Sequence, residues 1–305
     1  MQNIDCMKNL FIASASALLL VACSSQTSVK PENAQKDSTT VSSEKSPDTS
    51  YVSTGDQPVA DAATIMARQQ VPVLCYHHIK ETPSTSKSMK DYTVTISQFA
   101  GQMKILADSG YHTVLPDQLY AYLIFGKPLP SKPVMITFDD TDEEQFSVGK
   151  KEMDKYGFKG VYFIMNISIG RPRYMTKEQI RQLADEGHTI ASHTYDHHRT
   201  DKYISGDRMT LVNNKQKKVN DWDDQLVTPK NKLEEITGKK VEYFAYPFGV
   251  WASSGIPEIK KRGYKLAFQL SGKRDPMEPL YTVRRIIVPG WSPEGLLRVM
   301  KTSFK

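Results

Sequence analysis

Pro133-Val134-Met135-Ile136-Thr137-Phe138-Asp139-Asp140 is the stretch from which the rest of the chain can be read. An apolar run of strand length ends in two adjacent carboxylates. A run without polar alternation marks a strand buried on both faces, as in a parallel sheet covered by helices. Two acids side by side at the end of such a strand raise one another's pKa unless something neutralises them. A bound cation removes that cost, leaving one carboxylate as ligand and the other as base. An N-cap ahead of Glu143-Glu144 accounts for an Asp there equally well, so this segment alone leaves both readings open.

Working outward, short apolar runs alternate with amphipathic stretches. Strands are expected at 73–76, 112–115, 133–138, 160–165, 189–192, 241–246, 265–270 and 282–288. Helices are expected at 96–109, 116–125, 143–156, 176–186, 207–237, 256–262 and 293–301, with Thr176 and Gln179 spaced as a capping box. Strand–helix repetition of this kind predicts an α/β fold with a parallel sheet, open or closed into a barrel. In either form the chemistry belongs at the C-terminal ends of the strands.

Two further clusters follow expected strands. Ser192-His193-Thr194-Tyr195-Asp196-His197-His198 holds three of the chain's seven histidines. His-x-x-x-His is a metal-ligand spacing, although Thr194 stands where helical metalloproteases carry Glu. Cys75-Tyr76-His77-His78 follows Val71-Pro72-Val73-Leu74. A His there serves as a general acid near neutral pH, or as a satisfied structural side chain. Combined, Asp140, His193 and His197 supply one oxygen and two nitrogens to a divalent ion with open positions. Asp139 would then take the proton from the attacking water, and a His would protonate the leaving amine.

The 305 residues are not uniform. Residues 1–22 read as a lipoprotein signal peptide, with Lys8 ahead of the apolar run Leu10 to Ala22. That run is shorter than the roughly 20 residues a membrane span needs. Leu20-Val21-Ala22-Cys23 resembles a lipobox, which makes Cys23 the expected lipidation site. The lipidated Cys and a disordered, Ser- and Thr-rich linker would occupy 23–70, with one catalytic domain over 71–305. With Cys6 and Cys23 at the front, Cys75 stands alone in the domain and no internal disulfide is expected. Lys and Arg number 40 against 34 Asp and Glu, a net charge of +6. The basic residues are dispersed without a nucleic-acid motif, so no nucleic-acid partner is expected.

Thr137-Phe138-Asp139-Asp140, His193-x-x-x-His197 and Phe244-Ala245-Tyr246-Pro247-Phe248-Gly249 resemble the polysaccharide deacetylases of carbohydrate esterase family four, the NodB-homology group. The resemblance covers 71–305 and comes nearest to the poly-β-1,6-N-acetylglucosamine N-deacetylase branch. It implies a distorted, TIM-like (β/α) barrel in a single catalytic domain. It also implies a hydrolase that removes N-acetyl groups from N-acetylglucosamine units of a surface exopolysaccharide in biofilm matrix. Asp139 becomes the base, and Asp140, His193 and His197 the ligands of zinc, with cobalt or nickel sometimes accepted.

The branch's catalytic acid maps to His77, with His78 the alternative. The backbone N–H of Phe248 would lie near the oxyanion, with Tyr246 and Trp251 toward substrate. Tyr76, Tyr195, Trp251 and Trp291 are candidates for stacking on sugar. The sequence departs from the family at Thr141, where Gly is usual, and at Ala245, where most members carry an Arg that orients the base. No His follows His198, which agrees with an N-terminal acid, and 221–224 reads as a solvated acidic loop. A peptidoglycan or chitooligosaccharide deacetylase, or a non-catalytic polysaccharide-binding lipoprotein, is the competing function. The expected location is the bacterial cell membrane, reached by export and a lipid anchor.

Overall fold

The computed structural model describes residues 59–201, 209–212, 215–218, 222–270 and 272–304. The expected signal peptide, Cys23 and the linker as far as residue 58 lie outside the described residues. In chain order the strands are β1 (Val73–Tyr76), β2 (His78–Lys80), β3 (Thr93–Thr95), β4 (His112–Thr113), β5 (Pro133–Asp139) and β6 (Gly160–Ile164). There follow β7 (Thr189–Ser192), β8 (Met209–Val212), β9 (Lys215–Lys218), β10 (Tyr243–Ala245), β11 (Leu266–Leu270) and β12 (Val283–Ile287). The helices are α1 (Ala62–Ala67), α2 (Ile96–Asp108), α3 (Pro116–Phe125), α4 (Lys151–Asp154), α5 (Lys177–Asp185), α6 (Trp222–Thr237), α7 (Ile256–Lys261) and α8 (Pro293–Ser303).

Strands β1, β12, β11, β10, β7, β6 and β5 lie side by side, and β5 pairs back to β1, so seven parallel strands close into a barrel. The eighth expected strand, β4, pairs with Pro133 and Val134 at the start of β5, while β1 pairs from Met135 on. Alternation along the strands sorts the core into two layers. Leu74, Tyr76, Ile136, Phe138, Tyr162 and Ile164 face outward onto α2, α5, α6 and α8. Val73, Met135, Val161, Phe163, Leu266 and Phe268 face into the barrel. That inner cluster continues into Ile65 of α1 and Leu119, Leu123 and Ile124 of α3, which close the N-terminal end. The polar residues are left at the other end, where the strands finish.

Four expectations need correction. The linker does not extend to residue 70: α1 lies within it, Ile65 is buried, and the Ala60 N–H donates to the Ile124 carbonyl at 3.0 Å. The long helix expected over 207–237 begins only at Trp222, and β8 and β9 form an antiparallel pair before it. Met209-Thr210-Leu211-Val212 mixes β-branched and apolar residues in the alternation that a strand takes. Trp222, Asp223 and Asp224 make the acidic first turn of α6 rather than a loop, while Asp221 lies outside the described residues. The helix expected at 143–156 is a π-helical turn, Gln145–Lys150, running into the short α4. Such widened turns are frequent at functional sites. Here the turn places the Gln145 amide on the carbonyls of His77 (2.9 Å) and Asp139 (2.5 Å).

Candidate metal centre and active site

Asp140 follows β5 directly and His193 follows β7 directly, so barrel closure brings their side chains together. Asp140 Oδ1 lies 3.5 Å from His193 Nε2 and 3.4 Å from His197 Nε2. That oxygen is buried and accepts no hydrogen bond. A buried carboxylate oxygen left this way costs free energy unless a cation meets it. His193 Nδ1–H donates to the Ala245 carbonyl at 2.8 Å, which leaves Nε2 bare and aimed as a ligand. Burial and the neighbouring His193 push His197 down to about 4, so its ring is neutral and able to coordinate. Burial alone would raise Asp140, but the imidazoles beside it outweigh that and hold it well below the usual carboxylate range. One oxygen and two imidazole nitrogens with their outer partners in place suit a divalent transition ion. The residues therefore fit the metal that the sequence implies.

The backbone at this end is strained around the candidate ligands. Of the seven non-glycine residues with positive φ among those described, Asp140, Thr141, Thr194, His197 and Phe248 belong to the site. Each left-handed residue of this kind costs of order 1–3 kcal/mol and persists only where its surroundings fix it. Thr141 stands where the family has Gly, and its φ of 72° shows why Gly is usual there. Its hydroxyl accepts the Met165 N–H at 2.8 Å, which fixes the turn without a glycine.

Asp139, 1% exposed, closes β5 on the inner face. Arg285 grips it with two parallel hydrogen bonds, Nη1 to Oδ1 at 2.6 Å and Nη2 to Oδ2 at 2.8 Å. Burial pushes this carboxyl up, but the Arg285 charge and His193 pull it down further, to about 2. Asp139 is thus ionised at neutral pH. An Arg on the Asp139 carboxylate is thus present although position 245 is Ala, and it comes from β12. Its only sequence signal was a second cation, Arg285, at an inward position of the expected strand 282–288. A buried Arg needs a buried acid.

His77 Nε2 is 3.9 Å from Asp139 Oδ2, and His193 Nε2 is 3.8 Å from the same oxygen. Burial lowers the His77 pKa. Its Nδ1 lies 3.9 Å from the Cys75 thiol, and its ring packs edge-on against Tyr92. His78 turns the other way, onto an open cleft of about 760 Å³ whose lining also includes Lys80, Asp140, Arg173, Tyr174 and His197.

The third motif is brought to the same end only in part. Phe248 has φ 60°, stands 59% exposed, and packs its ring 4.4 Å from that of His197. Gly249 makes this turn possible: a Cβ there would fall 2.2 Å from Leu270 Cβ. Tyr246 is instead 1% exposed, and its hydroxyl donates to the Tyr281 carbonyl at 2.9 Å. Its side chain is core, not a substrate contact. Trp251 is half-buried against the core and donates its indole N–H to Gln269 at 3.3 Å. Tyr76 is wholly buried and donates to Gln102, which removes it as a sugar platform. Trp291 likewise packs against the outer core, and Tyr195 is tied at its backbone N–H to Gln225.

The profile of the family described as Polysaccharide deacetylase matches residues 126–267. That span contains Asp139, Asp140, His193, His197 and Phe248, but neither His77 nor Arg285. YxkH of Bacillus subtilis (strain 168), whose name refers it to the polysaccharide deacetylases, is 29% identical over 293 residues, covering 94% of this chain and 96% of that one. The poly-beta-1,6-N-acetyl-D-glucosamine N-deacetylase of Staphylococcus aureus (strain MRSA252) is 27% identical over 226 residues, 70% of this chain and 74% of its own. Among solved structures, IcaB from Ammonifex degensii superimposes with a TM-score of 0.60 at 26% identity, covering 78% of this chain and 98% of that one.

Proposed function

We propose that this chain, which matches the polysaccharide deacetylase family over residues 126–267, is a polysaccharide N-deacetylase whose substrate is poly-β-1,6-N-acetylglucosamine of a biofilm matrix. The likeness to the staphylococcal enzyme of that name and to IcaB supports the choice of polymer. The observation that carries the chemistry is an ionised carboxylate, Asp139, clamped by Arg285 beside the Asp140, His193 and His197 ligand set.

A zinc ion held by Asp140, His193 and His197 would acidify water and polarise the acetyl carbonyl. The chain's own residues supply the rest. Asp139 accepts a proton from the attacking water as the C–O bond forms. Held near 2 by Arg285 and His193, it is a weak base. The Phe248 turn presents backbone N–H to the developing oxyanion. His77, whose Nε2 lies 3.9 Å from Asp139 Oδ2, takes over the proton that Asp139 gained and delivers it to the leaving nitrogen as the C–N bond breaks, which returns Asp139 to its ionised form. Acetate and a free glucosamine unit result.

Acetate release from a β-1,6-linked N-acetylglucosamine oligomer tests this directly. Activity should vanish with chelator and return with zinc. Asp139→Asn should lose at least about a hundredfold in kcat. Full activity in that variant, or equal turnover of peptidoglycan and chitin oligomers, would refute the assignment. Export and lipidation at Cys23 belong to the same proposal: Cys23→Ala should release the protein from the membrane fraction into the medium.

A further inference from the structure

We propose that His78 is a substrate-positioning residue, an imidazole held by Asp142 so that its free nitrogen accepts a hydroxyl of the hexosamine bound beside the metal ligands. This deepens the deacetylase reading and rests on it. His77 and His78 are consecutive but serve opposite faces. His77 is 7% exposed and reaches Asp139 within the barrel. His78, on β2, borders the open cleft together with Asp140 and His197.

The His78 ring is fixed. Its Nδ1 lies 2.5 Å from Asp142 Oδ2, so Nδ1–H donates to the carboxylate, and in that tautomer the lone pair is at Nε2. Among the described residues Nε2 has no hydrogen-bond partner. Asp142 is fixed in turn. It is 6% exposed and forms an antiparallel bridge with Tyr174, and the next N–H, of Glu143, donates to the Arg173 carbonyl at 2.9 Å. Lys80 Nζ stands 3.7 Å from Asp142 Oδ2 and 2.5 Å from Glu144 Oε1.

A chain of Glu144, Lys80 and Asp142 therefore orients one imidazole whose remaining nitrogen is an acceptor on the cleft wall. Sugar hydroxyls are the donors a deacetylase brings to that wall. The carboxylate fixes the tautomer as it does for histidines that hold a metal, but His78 stands outside the ligand set. One hydrogen bond made equally in the bound and transition states lowers KM and leaves kcat alone.

The test uses a β-1,6-linked N-acetylglucosamine pentamer. Kinetics of the zinc-loaded protein are compared with those of His78→Ala and Asp142→Asn. Calorimetry then measures pentamer binding to Asp139→Asn with and without His78→Ala. We expect His78→Ala to raise KM about tenfold with kcat within about threefold and zinc stoichiometry kept. Pentamer affinity should fall by a similar factor in the Asp139→Asn background, and Asp142→Asn should show a smaller KM effect of the same sign.

Unchanged KM and affinity would overturn the proposal. So would a hundredfold loss of kcat at unchanged KM, which would make His78 the proton donor instead of His77. If the wild type releases no acetate from the pentamer, the polymer assignment fails by itself. The binding comparison then still decides His78: weaker binding supports it, and equal or absent binding overturns it.

Discussion

Arg285 reaches Asp139 from a fully buried position on β12, and neither residue has another full charge as close in the barrel. Breaking a buried pair by removing one partner costs about 3–5 kcal/mol, because the remaining charge is stranded. Arg285→Met should therefore lower the unfolding free energy by about that much in urea titration, and lower kcat with it. Arg285→Met combined with Asp139→Asn should be more stable than Arg285→Met alone, since no buried charge is left unpaired. A single variant that loses under about 1 kcal/mol would show that the pair does not hold the base in this way. Residue by residue, the structure brings Asp139, Asp140, His193 and His197 within reach of one another, as the motifs grouped them. The Arg285–Asp139 and Asp142–His78 contacts are not legible in the sequence, because each joins residues far apart in the chain.

Among the elements, strand ends do most to place chemistry and strand starts do most to place stability. His188 stands immediately before β7, where its Nδ1 accepts the Gly160 N–H that opens β6, at 3.0 Å. Burial, aided by Lys159 and Lys150 against the pull of Asp154 and Glu186, pushes this imidazole down to about 4. A histidine depressed in the folded state takes up its proton more readily when unfolded. The stability it confers is intact above about 6.5 and is lost as pH falls toward 4. Between pH 7 and pH 4.5 the unfolding free energy should drop by about 2–3 kcal/mol on this account. His188→Gln should flatten that part of the pH profile. Equal pH profiles for the two proteins would dismiss His188 as the cause. The barrel strands and most of the helices stand within a few residues of where the apolar period puts them. At 209–212 and 215–218 the backbone is an antiparallel strand pair where the polar sequence predicts helix.

For the whole molecule, the barrel's N-terminal end is closed by α3 together with α1, which lies ahead of the expected domain boundary. A chain beginning at residue 59 should melt at the same temperature as one carrying residues 1–58. A chain beginning at residue 71 loses the buried Ile65 and the Ala60–Ile124 hydrogen bond, worth about 2–3 kcal/mol together. Its melting temperature should fall by several degrees. Equal melting of all three would mean that α1 is not part of the closing layer. No helix among the described residues is long and apolar enough to cross a membrane.

The sequence by itself determined the parallel α/β architecture, the pairing of Asp139 with Asp140, and the two histidines four residues apart. Those features are local: an apolar run fixes a strand, and the residues just past it must emerge at its C-terminal end. Only the tertiary structure decided that Arg285 meets Asp139 across 146 positions of chain, that Tyr246 and Tyr76 are core, and that His77 and His78 face different spaces. Those outcomes depend on β5 pairing back to β1 to close the ring, and ring closure is a property of how all seven strands fit together.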